Sequence, residues 1–398
     1  MRADVVIVGA GLAGSAAAWR LSKRERHVVL LEAFEPGHKR GSSHGSARIF
    51  RRAYPDQLYI GLTGEASELW RELTDRAGQE LVTVTGAVDV GPRPADGGPS
   101  VPERMYQLLT GQGVPAELLT PDEAAARWPG IAFAAGDGPV LFHPEAGVLD
   151  PDRTMTAMRA LAAADGADIR YRTPALSVAA TAAGAVVRTA GEEFEAPVVV
   201  VAAGAWLAPL LGGQVKLPPL EVMQMQYFLF DQAEPVRPGW PTYIYHGDPE
   251  WYALPAGSER PGAIKVGLHE HGAITTADGR DGVASDAARE QTQQYVSDKF
   301  PGLDPRPKAE LTCLYTSTLS KDFILDRQGP FVVASVCSGH GAKFAPLTGE
   351  LIADLADGRP QTERRFTLAA HTAELPGTFR RNRRACLPAP CSGHRVQS

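Results

Sequence analysis

Cysteine is scarce in this chain, with four residues in 398, at positions 313, 337, 386 and 391. None forms a C-x-x-C pair and no Cys/His spacing suits zinc, so neither a metal site nor a disulfide framework is expected. A reduced, cytoplasmic setting follows. A basic surplus is also missing: the formal net charge is −6, which removes the electrostatic case for nucleic acid. Uninterrupted apolar runs of membrane-spanning length are lacking too. Asp4 breaks the N-terminal "MRADVVIVGAGLAGSAAAW", and Pro197, Gly204 and Pro209 divide "APVVVVAAGAWLAPLLGG" at 196–213. The pattern excludes a membrane segment and favours a globular chain that takes small molecules.

What is present suits a large α/β protein. Hydrophobic residues make up 44% and charged residues 22%, enough for a sizeable core, and the length allows two lobes. "DVVIVG", "SAAAWRLSKRE" and "HVVLLE" predict a buried strand, an amphipathic helix and a second buried strand. The Pro/Gly-rich stretch 91–103 predicts a surface loop, and 152–167 a helix followed by strands in "DIRYR", "GAVVRTA" and "VVVVAAG". From 216 to 312 the character changes to antiparallel strands, "MQMQYFLFD", "TYIYH", "WYALP" and "AIKVGLH", with a helix at 286–300. A strand "PFVVASVC", a glycine turn "SGHGAK" and a helix "TGELIADLADG" follow. We therefore expect a discontinuous nucleotide-binding lobe, residues 1–80, 145–215 and 313–365. A mostly antiparallel substrate lobe, 81–144 and 216–312, is inserted into it. Residues 366–398 are expected to form a flexible tail, basic and Pro-containing toward its end.

Gly9, Gly11 and Gly14 in "VIVGAGLAGSAAA" have the G-x-G-x-x-G spacing. The first permits the tight turn, the second lets backbone approach a pyrophosphate, and the third lets the helix pack close to the strand. Glu32, ending the next strand, stands where a carboxylate would bind ribose hydroxyls. The motif alone does not choose NAD over FAD. "GSSHGSARIFRRAYP" (41–55) adds Ser42, His44, Arg48 and Arg51 in a polar segment that Ile49 and Phe50 draw inward. In "AIKVGLHEHG", Lys265 and His269 would share one strand face, with Gly267 leaving room between them for a ligand. Cys313 and Tyr315 share a face of the strand "AELTCLYTS"; on spacing alone Cys313 is a small buried hydrophobe.

"GSSHGSARI", "VVAAGAW", "AIKVGLH", "CLYTSTLSKDFILD" and "SGHGAKF" occur in an order that resembles the monomeric sarcosine oxidase family, amine oxidases related to N-methyltryptophan oxidase and pipecolate oxidase. The likeness runs from the N-terminus to about residue 358. It implies a DAO-type α/β fold with a Rossmann-like, glutathione-reductase-type FAD lobe. It also implies FAD attached 8α-S-cysteinyl at Cys313, the cysteine of "CLYT", with Cys337 as the competing thiol. Lys265 would help reduced flavin react with oxygen, and His269 would line the substrate pocket. Arg51 and Lys343 would hold the substrate carboxylate, an arginine fork beside a lysine point charge. Tyr315 and Tyr252 would wall the amine, while Ser42, His44, Arg48, Gly339 and Gly341 lie by the cofactor. Family members more often carry an aromatic at Ala342, so the space near Lys343 is expected to be larger than sarcosine needs.

The activity implied is oxidation of a secondary or N-methyl amino acid to an imine, with molecular oxygen reduced to hydrogen peroxide by a monomer. A cyclic imino-acid oxidase of the pipecolate or piperideine-carboxylate type, in a biosynthetic pathway, is the first alternative. A flavin redox subunit passing electrons to a protein partner is the second, and an NAD-dependent dehydrogenase, resting on the glycine motif alone, the third.

Overall fold

The computed structural model describes residues 1–134, 136–233 and 239–373. Cys386, Cys391 and positions 374–398 of the expected tail lie outside the described residues.

The β-α-β opening forms as its pattern requires. Strand β1 (Val5–Val8) and strand β2 (Val28–Leu31) are buried at every position, and helix α1 (Leu12–Lys23) joins them. Continuous Val and Leu suit strands covered on both faces. The two pair in parallel, Val5 opposite Val28. On its other side β1 pairs in parallel with Val198–Val201, which in turn pairs with Phe331–Ser335. Asp168–Arg170 and Ile324–Gln328 form the edges of this six-stranded sheet.

A second sheet of nine strands draws on residues 87–143 and 221–317 and is mostly antiparallel. Its longest pairing joins Glu221–Asp231 to Ala309–Ser317, with Glu221 opposite Ser317 and Met225 opposite Cys313. The proposed boundary at 313 therefore cuts a strand that belongs wholly to this sheet. Strand β3 (Arg48–Phe50) pairs with Gly147–Leu149, and helix α2 (Gln57–Ala77) follows it, capped by the Asp56 side chain. Two further differences from expectation are local. Residues 101–111 form a helix started by a Ser100–Glu103 capping box, so the loop at 91–103 ends early. The first residues given to the tail are packed: Phe366 is buried, Leu368–Ala373 is helical, and His371 Nε2 lies 2.9 Å from the Phe323 carbonyl oxygen.

Candidate active site

Where β1 meets α1, Gly9 adopts φ of 99°, and a Cβ there would stand 2.6 Å from the Ala202 carbonyl oxygen. A Cβ on Gly14 would stand 1.8 Å from the Gly9 carbonyl oxygen, so the turn tolerates neither side chain. Leu12 N–H, in the first turn of α1, donates to Ser43 Oγ at 3.1 Å. Glu32 is buried, and its carboxylate accepts from Ala10 N–H at 2.8 Å and Phe34 N–H at 3.1 Å. Burial pushes its pKa up, but hydrogen bonds from His38, Ala10 and Phe34 outweigh this and hold it below the ordinary value. The carboxylate is thus ionised and fixed beside the turn.

A cavity of about 640 Å³ opens from this turn, within the size range of cofactor sites. Gly9, Gly11, Glu32, Ser42, His44, Arg48, Tyr315, Gly339 and Gly341 all line it, as do Ala342 and Cys337. Gly14 acts behind the wall, through close packing. His44 is buried with both ring nitrogens unpartnered among the described residues, and burial together with Arg48 pushes its pKa down to about 2. A neutral imidazole on the wall, able to donate and accept but paired with none of the described residues, fits a polar heterocycle in the cavity. With the glycine turn and Glu32, these residues fit a dinucleotide such as FAD.

Arg48 sets the loop around His44: its guanidinium donates to the carbonyl oxygens of Ala47 at 2.8 Å, Ser42 at 3.0 Å and His44 at 2.7 Å. Lys265 is buried nearby, with Nζ 3.1 Å from the Ala47 carbonyl oxygen and 3.7 Å from the centre of the Tyr227 ring. Burial, reinforced by Arg48, pushes its pKa down to about 7. Cys313 is buried two positions along the strand from the cavity-lining Tyr315, while Cys337 is on the cavity wall. Arg48, Lys265 and Arg280 all interact electrostatically with Cys313. Arg280 itself binds the Thr312 carbonyl oxygen at 2.6 Å and that of Lys39 at 2.7 Å. The room expected above Gly267 is filled, since a Cβ there would stand 2.6 Å from the Tyr252 hydroxyl. His269 lies just beyond strand Ala263–Leu268, its ring 5.8 Å from that of Tyr315, with burial lowering its pKa.

Arg51 and Lys343 are brought within electrostatic reach of each other, but neither is bare. Arg51 Nη1 is hydrogen-bonded to Asp89, which is fully buried and also contacts His246 Nε2 at 2.7 Å. Lys343 Nζ donates to the Tyr54 hydroxyl at 2.8 Å and to the His340 carbonyl oxygen at 2.9 Å. The Tyr54 hydroxyl lies 3.1 Å from His340 Nδ1, and His340 Nε2 lies 3.0 Å from the Lys321 carbonyl oxygen. Nε2 therefore carries the ring proton, and Tyr54 donates to Nδ1. Burial, with Arg51 adding repulsion, drives the Lys343 pKa far down. Sequence reasoning missed Asp89, Tyr54, His246 and His340. The one signal for Asp89 was an acid inside the apolar run "GAVDVG".

Comparison with known proteins bears on the family and the fold. The family model described as DAO, FAD dependent oxidoreductase, matches residues 4–355. The monomeric sarcosine oxidase of Streptomyces avermitilis (strain ATCC 31267) is 32% identical over 397 residues, 97% of this chain and 99% of its own. That of Bacillus sp. (strain B-0618) is 30% identical over 369 residues, 89% of this chain and 92% of its own. Among solved structures, NikD, an unusual amino acid oxidase essential for nikkomycin biosynthesis, superposes with a TM-score of 0.83 at 25% identity, covering 92% of this chain and 97% of NikD.

Proposed function

The chain belongs to the family of FAD-dependent oxidoreductases of the DAO type, and from that premise we propose that this amine oxidase acts on a secondary or N-methyl amino acid. Its C–N bond loses two electrons and two protons to give an imine, and oxygen gains both to give hydrogen peroxide. When bound, FAD supplies the two-electron acceptor for that bond. Gly9, Gly11, Gly14, Glu32, Ser42, His44, Arg48, Gly339 and Gly341 would hold it. Cys313 is assigned as its covalent tether, a reading supported by its burial two positions from the cavity-lining Tyr315 and by the basic side chains of Arg48, Lys265 and Arg280 within electrostatic reach of it.

The observation that carries the reading is Lys265, a buried lysine beside Arg48, with its ammonium over the Tyr227 ring. A fixed cation there stabilises negative charge developing on oxygen, for which an electron-transfer subunit with a protein partner has no use. Lys343 and the guanidinium of Arg51 would take the substrate carboxylate. Tyr315, Tyr252 and His269 would enclose the amine, which binds deprotonated. We place the reaction in the cytoplasm, carried out by a monomer. Among the described residues no helix is long and apolar enough to cross a membrane.

The small Ala342 on the cavity wall leaves room for a ring and favours a second reading, a cyclic imino acid as substrate, and the likeness to NikD, an amino acid oxidase of a biosynthesis, favours a biosynthetic setting for it. Anaerobic titration of the yellow protein with N-methyl and cyclic amino acids separates the two. Bleaching by N-methyl amino acids supports the first reading, and bleaching by cyclic substrates alone overturns it.

A further inference from the structure

The buried carboxylate of Asp89 sits in the place where the substrate's own carboxylate is expected to find its partner. Its side chain has no exposure, it pairs with Arg51 Nη1 and His246 Nε2 through Oδ1, and Oδ2 has no partner among the described residues. Strand Ala87–Val90 fixes its position by pairing in parallel with Thr242–Tyr245, which sets Asp89 opposite Ile244. The charges around it can be counted. Arg51 is the fixed cation of the carboxylate pocket, and Lys343, whose pKa burial drives down, takes up a charge only when an anion binds beside it. Asp89 faces Arg51, and Glu250 acts electrostatically on Tyr54 and His269 and lies 4.0 Å from His246. The imidazoles of His143, His269 and His340 are pushed by burial below the ordinary histidine value, and so are neutral at alkaline pH.

Asp89, ionised, offsets Arg51, and Glu250, more than a third exposed, is screened by solvent, so the pocket gains at most the one positive charge that Lys343 takes up when an anion binds. One substrate carboxylate neutralises it, whereas a second, in the same buried pocket, would stand unpaired. We propose that Asp89 is a specificity-determining residue, which matches the pocket to amines bearing a single carboxylate and rejects dicarboxylic ones. It acts through Arg51 rather than by touching the reacting atoms. The inference rests on the proposed carboxylate role of Arg51 and Lys343.

The test uses the flavin-loaded protein with propionate and succinate, which differ by one carboxylate, at pH 8.5 and constant ionic strength. Dissociation constants are read from perturbation of the flavin absorbance. Wild type is expected to bind propionate at least tenfold more tightly than succinate. Asp89→Asn, which keeps shape and a hydrogen-bond acceptor for Arg51, is expected to shift that ratio about tenfold toward succinate, the effect of one charge several ångströms away at intermediate dielectric. An unchanged ratio, or parallel weakening of both acids, overturns the role of Asp89 while leaving the carboxylate pocket intact. If neither acid perturbs wild-type flavin, the carboxylate pocket itself is misplaced and the inference falls with it. Should the variant not fold, equal wild-type affinity for the two acids is enough to overturn the proposal.

Discussion

Lys265 Nζ stands 3.7 Å from the centre of the Tyr227 ring and 3.1 Å from the Ala47 carbonyl oxygen. These contacts favour the charged form against burial and aim it, with Glu259 acting on it through space and no ion pair to Lys265 among the described residues. Its chemistry is therefore sensitive to protonation. Because its pKa is lowered to about 7, Lys265 is cationic below that pH and neutral above it. Flavin reoxidation by air, followed by stopped flow after anaerobic reduction, is expected to slow as pH rises through 7. Lys265→Met should slow it roughly 10²–10³-fold, the loss typical of one preorganised electrostatic group, and flatten that pH dependence. An equal effect on flavin reduction would remove the assigned role.

The two thiols near the cavity give opposite outcomes. Acid precipitation of Cys313→Ala is expected to release all flavin into the supernatant, while Cys337→Ala keeps it in the pellet. Mass spectrometry of the corresponding peptides locates the adduct directly, and a flavin-bearing Cys337 peptide would reverse the assignment.

Gly14→Ala places a methyl 1.8 Å from the Gly9 carbonyl oxygen, a contact with backbone that no rotamer can relieve. Overpacking of this kind costs about 1–3 kcal/mol or more. Colourless protein with a lowered thermal midpoint is expected, and full flavin content at unchanged stability would contradict the packing described.

Glu32→Gln removes a buried charge that accepts two backbone N–H groups. Hydrogen bonds to charged groups are worth about 1.5–3 kcal/mol, so apoprotein stability should fall by that order. Folding lowers the Glu32 pKa, so this stabilisation is fully present above the unfolded value near 4.5 and is lost as pH falls through the lower folded value. The gap between wild type and variant, measured by thermal denaturation, should narrow as pH drops below 4.5. A gap independent of pH would mean the charge is not the cause.

The parts legible in sequence were those with local causes. Val5–Val8 and Val28–Leu31 declare themselves as buried strands by unbroken apolar runs, and Gly9 and Gly14 by steric need at fixed spacing. Site residues such as Lys265 and Lys343 emerged through resemblance, since nothing local distinguishes a buried lysine from a surface one. Asp89 was hidden because its meaning lies in Arg51, 38 residues away in sequence, and in a parallel strand pair no periodicity predicts. The space over Gly267 was misjudged for a similar reason: Tyr252, on the neighbouring strand, occupies it. The strand Ala309–Ser317 joins the larger sheet through pairing with Glu221–Leu229, so a boundary drawn at its cysteine had no structural counterpart.

Strand β1 has one neighbour completed by residue 31 and another that begins only at residue 198. The cavity it opens into is closed by residues 334–348. During synthesis, which proceeds from the N-terminus, the first strand therefore waits with one edge open while most of the polypeptide is made. Flavin can be enclosed only after the ribosome has delivered nearly the whole described chain. A chain that ends before residue 198 is left with the backbone N–H and C=O groups of one edge of β1 unpaired, an edge open to pairing with another chain.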